Sequence, residues 1–215
     1  MSSLPNRSLW IWSGIAGIVA TTSYILGTQV PWPETRLGLT AGLVAVVLWP
    51  ILSIVYAYGL YDFVAAERPG VANRLSLLFA VTGFTTVLAM IVVQLAVDAG
   101  FAEISRGLDA QAAATLKRGL RLIDQGLDVA WDMLIGTSLV CSGVAARRRR
   151  GLGPGWAFPL VALGVGLIVL NIATFPWPPA SRGLFDIGPF IGLFEIALAA
   201  RLVALGRRAA AAPGS

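Results

Sequence analysis

Residues 187–206 read IGPFIGLFEIALAARLVALG, an apolar stretch with a single carboxylate, Glu195, near its middle. A helix rises 1.5 Å per residue, so about 20 apolar residues cross a hydrocarbon layer roughly 30 Å thick. The stretch has that length, and its residues Gly188, Gly192, Glu195 and Ala199 fall on one face at helical spacing. It therefore reads as a transmembrane helix whose small-residue face, with the acid in it, is turned toward another helix.

Five more stretches of the same kind precede it, at about residues 9–28, 38–60, 75–97, 127–146 and 156–175. The expected fold is all-α, a six-helix transmembrane bundle forming a single transmembrane domain over residues 1–215. Composition agrees: 57% of residues are hydrophobic and only 13% charged, with a mean hydropathy of +0.78, far from a soluble average. The first stretch is too long for a signal-peptide core, and Thr28-Gln29-Val30-Pro31 has no small-x-small cleavage pattern, so it counts as a span. Small residues four apart, Gly38 with Gly42, Ala162 with Gly166 and Gly188 with Gly192, offer places where helices approach closely.

Charge sets the expected orientation. With both termini cytoplasmic, the inner segments hold Arg7, Arg68, Arg74, Arg147 to Arg150, Arg201, Arg207 and Arg208, and the outer ones Arg36, Arg106, Lys117, Arg118, Arg121 and Arg182. Four consecutive arginines at 147–150 resist translocation and suit anionic headgroups. Trp10, Trp12 and Trp156 fall at inner ends and Trp32, Trp131 and Trp177 at outer ends, as for rings at headgroup level, while Trp49 lies deep beside Pro50. Asp62 reads as a solvated helix-end residue. The pI of about 10.1 follows from this arginine bias; no aromatic or base-reading pattern accompanies it, so no nucleic-acid partner is expected.

One connection is long. Over residues 98–126, Phe101, Ile104, Leu108, Ala112, Leu116, Leu120 and Ile123 recur at three- and four-residue steps, with Arg106, Lys117, Arg118 and Arg121 on other faces. The pattern predicts an amphipathic helical segment in the outer loop between helices 3 and 4. Gly107 and Asp109 mark a break and an N-cap, after which residues 110–125 either extend the fourth span or lie in the interface. Pro31-Trp32-Pro33 and Pro176-Trp177-Pro178 form a weak echo in the other two outer loops.

A charge at the centre of a span costs on the order of 3 kcal/mol, so Glu195 must be protonated, hydrogen-bonded or wet. Its expected companions in the outer half are Asp132 and Asp128, one turn apart on the fourth span, Asn171 near the end of the fifth and Gln94 near the end of the third. These five residues are the candidate ligand- or cation-binding set, in a polar crevice open to the outside. The first reading of it is a proton- or cation-binding site in a small transporter-like protein whose ligand is a small cationic or lipophilic molecule. The second is a set of structural hydrogen bonds in an accessory subunit that meets itself or another membrane protein. A membrane-embedded enzyme comes third. The chain has no His and one Cys, Cys141, so it lacks an imidazole base, a His-ligated haem and a thiolate cage; no catalytic residue, metal site or cofactor is expected. The only Lys, Lys117, lies outside the spans, which disfavours a Schiff-base chromophore.

Leu127-Asp128-Val129-Ala130-Trp131-Asp132, Asn171-Ile172-Ala173-Thr174-Phe175-Pro176 and Gly183-Leu184-Phe185-Asp186-Ile187-Gly188-Pro189-Phe190 lie within residues 126–201. That part of the chain resembles uncharacterised multi-pass membrane proteins of bacteria. The resemblance implies a bacterial cytoplasmic (inner) membrane location and no particular activity. Asp186 within it reads as the N-cap of the sixth helix, with Pro189 in the first turn.

Overall fold

The computed structural model describes residues 6–29, 31, 35–67 and 69–211. Six α-helices follow in order: α1 (Arg7–Gln29), α2 (Arg36–Ala65), α3 (Val71–Ile104), α4 (Ala110–Ala146), α5 (Pro154–Thr174) and α6 (Gly188–Ala211), with a short 3-10 turn at Pro179–Arg182. Each α-helix is long and apolar enough to cross a membrane, and no strand occurs among the described residues. The protein is an integral, multi-pass membrane protein.

Each of the first four helices packs on the next, and α6 returns to lie along α1 while barely touching α5. The contacts are close because Cβ atoms are missing where backbones meet. A Cβ on Gly164 of α5 would stand 2.5 Å from the Gly136 carbonyl oxygen of α4, and one on Gly14 of α1 would stand 2.7 Å from the Ala199 carbonyl oxygen of α6. Two of the three pairs expected from spacing, those of α5 and α6, play a smaller part. Gly166 meets only Ile187 and Gly192 only Thr21, each at 3.4 Å; a small-xxx-small pattern does not say which helix face is opposed.

The long connection is not a separate loop element. α3 continues to Ile104, the chain turns at residues 105–109 with Gly107 at φ +84°, and α4 begins at once. Asp109 caps α4, its carboxylate accepting from the Ala112 amide at 2.7 Å. Of the two arrangements left open for residues 110–125, the helical extension is the one adopted. Asp132 of α4 meets Asn171 near the end of α5, so residues 110–127, about 27 Å of helix, rise beyond α5 beside the end of α3. We call this the hairpin end.

The opposite end gathers the start of α1, the α2–α3 and α4–α5 turns, and the last turns of α6. Here two readings change. Asp62 is not simply solvated but accepts from Trp10 Nε1 at 2.9 Å, and Trp10, only 4% exposed, packs edge-on against Phe63. An indole with its N–H satisfied inside the protein does not need the headgroup layer; among the described tryptophans expected there, Trp12 is the one well exposed, at 68%. Trp131 likewise turns inward onto Trp49, ring centroids 5.5 Å apart. In the arginine run, Arg147, Arg148 and Arg150 are exposed while Arg149 is buried, its guanidinium 4.0 Å from the Phe63 ring centroid and ion-paired with Glu67. Arg201 of α6 adds a bond to the Gly151 carbonyl at 3.0 Å. Arg68, Trp32 and Pro33 lie outside the described residues.

Candidate functional site

The expected companions of Glu195 separate into two places. Near the hairpin end, Asn171 Nδ2 donates to Asp132 Oδ2 at 2.9 Å, joining α5 to α4. Asp128, one turn along, and Asp186, just before α6, act electrostatically on Asp132. Gln94 pairs not with these but with Asp124, another turn up α4. Asp124, Asp128 and Asp132 therefore form a column of carboxylates, leading from the protruding hairpin into the bundle. Asp186 accepts from the Gly188 amide at 2.8 Å, but the N-cap position expected of it is held by Ile187, whose carbonyl takes the first helical bond, from Ile191.

Glu195 stands elsewhere. It lines a cavity of about 30 Å³ in the middle of the ring, together with Tyr56 of α2, Ser76 of α3, Ser138 and Ser142 of α4 and Leu160 of α5. Ser138 is six residues, and Ser142 ten, beyond Asp132 on the same helix, so the cavity lies about 9–15 Å deeper along α4. The volume suits one or two waters or a bare ion and excludes a drug-sized molecule.

The polar groups of the cavity are unevenly satisfied. Ser76 and Ser142 hydrogen-bond each other, and Ser138 donates to the Ser76 carbonyl at 2.9 Å. Glu195 makes no hydrogen bond to any described residue. Tyr56 is 5% exposed and within electrostatic reach of Glu195, yet its hydroxyl has no partner among the described residues. A buried hydroxyl without a partner costs about 1–3 kcal/mol, and a carboxylate facing it makes the cavity a place where a water or ion is stabilised.

Comparison with protein-family models, curated proteins and solved structures finds no match to this chain.

Tyr56 was absent from the sequence-derived set. Its signal was available: a hydroxyl in the interior of a long apolar run, two turns from the end of α2.

Proposed function

We propose that the protein is a transporter-like bundle that binds a proton or small cation at Glu195 in the middle of the membrane, with Asp132 as a second acid nearer the hairpin end. The observation that carries this reading is the pairing of Glu195 with the unpartnered Tyr56 hydroxyl at one small central cavity. An intramembrane acid without a basic partner takes a proton or a cation to neutralise it. The serines supply hydroxyls along α3 and α4 at the same level. As a location we propose a bacterial cytoplasmic membrane, with the arginine-bearing end inside, because exposed Arg147, Arg148 and Arg150 accompany the α4–α5 turn.

The structural reading has one observation in its favour: Asp132 is already bonded by Asn171, as an acid that only ties α4 to α5 would be. The two are separated by reconstituting the purified chain into liposomes with an entrapped pH-sensitive dye and imposing a potassium diffusion potential. Proton uptake faster than in empty liposomes, abolished in Glu195→Gln, is the expected result. Uptake equal to that of empty liposomes would overturn the proposal.

A further inference from the structure

We infer that the carboxylate column at the hairpin end is a binding site for an organic cation, a protonated amine or quaternary ammonium, seated between Asp128, Asp132 and Asp186 and against the ring of Tyr24.

The first support is charge without compensation. Asp128 experiences Asp124 and Asp186, and Asp132 experiences Asp128 and Asp186; no Arg or Lys of the described residues acts on either. Like charges gathered in a partly apolar setting raise the free energy of the empty state, and a cation lowers it. Asp124, held by Gln94 higher up the column, extends the negative potential outward along α4 and steers cations toward the bundle.

The second support is Asn171. It is 0% exposed, and both its N–H groups are used, on Asp132 at 2.9 Å and on the Leu167 carbonyl at 3.0 Å. Exchanging its oxygen and nitrogen would therefore lose two bonds and gain none, so the amide orientation is determined. Its Oδ1, on the amide that already touches Asp132, is left without a partner among the described residues. A buried acceptor beside carboxylates lacks a donor, and an ammonium N–H or a polarised N–CH group is such a donor.

The third support selects the kind of cation. No group of three Asp, Glu or Cys among the described residues sits close enough to hold one metal ion. Acids that influence each other but do not converge suit a broad, delocalised charge better than a bare ion. An aromatic face is in place: Tyr24 is within electrostatic reach of Asp186, Asp128 and Asp132, and its ring lies 4.3 Å from that of Trp49, which meets Trp131. Cations with carbon substituents bind such faces, with gains of about 0.5–2 kcal/mol.

This site is distinct from the Glu195 cavity and does not depend on transport. The test is equilibrium dialysis of tetraethylammonium against the purified full chain in detergent. Saturable one-to-one binding is expected, weakened about tenfold or more in Asp132→Asn, a loss corresponding to a single charge interaction. Asp186→Asn, which keeps an oxygen to accept from the Gly188 amide and lies outside the helices, is expected to weaken it severalfold with the fold intact. Glu195→Gln is expected to bind as the wild type does. Unsaturable uptake by the wild type, or undiminished binding in both aspartate variants, would overturn the proposal, as would a loss of binding confined to Glu195→Gln.

Discussion

Arg149 reaches back from the α4–α5 turn to set its guanidinium 4.0 Å from the centre of the Phe63 ring, at the end of α2. That one contact, with the ion pair to Glu67 and the nearby Trp10 ring at 5.9 Å, joins α1, α2 and the α4–α5 turn at the membrane boundary. It makes four adjacent arginines inequivalent.

Arg149→Gln is accordingly expected to lower stability by about 1–3 kcal/mol, since it takes the buried cation away from the Phe63 ring and leaves Glu67 without its ion-pair partner. Arg147→Gln and Arg148→Gln, on the exposed side chains, are expected to stay within about 0.5 kcal/mol of wild type. Thermal melts in detergent of the three variants give the ranking, and equal effects at all three positions would show that Arg149 is not a pin.

The same contact predicts a pH response. Partial burial pushes the Glu67 carboxyl upward, but the Arg149 hydrogen bond, the Arg150 amide and the charges of both arginines outweigh it and hold the group below its ordinary value of 4.5. A carboxylate of lowered proton affinity stabilises the folded state above that ordinary value, and the contribution fades as pH falls through and below it. The stability gap between wild type and Glu67→Gln should thus be constant near neutrality and shrink between about pH 5 and pH 3. A gap that grows on acidification contradicts this account.

Helix contact at the α4–α5 crossing is tested by a pair of glycines. Gly164→Ala places a methyl group 2.5 Å from the Gly136 carbonyl oxygen and is expected to cost about 1–3 kcal/mol. Gly166→Ala meets only Ile187 Cδ1 at 3.4 Å and is expected to be nearly neutral. Tm values reversed between the two would refute the packing described for this interface.

Sidedness is open to a direct measurement. A reporter active only in the periplasm should be active when inserted near Ala113, in the protruding hairpin, and inactive when fused after Ser215. The opposite pattern would reverse the orientation inferred from the arginines.

The six spans were legible because a mean over some twenty residues averages out single side chains. The ends of α3 and α4 were not: residues 98–126 carry charge on one side and apolar groups on the other, and such a pattern fits an interfacial helix as well as a protruding one. Contacts between distant residues were the hardest to anticipate. Trp10 and Asp62 looked like two independent boundary residues, and their bond spans 52 positions. Asp132 and Asn171 fall at the same depth by span boundaries and do meet, whereas Glu195, near the middle of its span, lines a cavity about 9–15 Å deeper along α4, a difference in depth that grouping it with them overlooked. Tyr56 lines the same cavity as Glu195, a neighbour fixed by tertiary packing that periodicity does not point to.

The pairing of α6 with α1 also bears on how the bundle is made. Ser13, which is 0% exposed, and Gly14 and Gly17 beside it on α1 form a groove that α2 fills on one side, and Ala199 and Val203 of α6 on the other. α1 enters the membrane well before α6 has been synthesised, so that second side faces lipid or an assembly factor throughout the insertion of the four intervening helices. Closure of the ring is then a late, long-range event, and a ribosome stalled before Gly188 leaves a five-helix product with the α6 side of that groove unfilled.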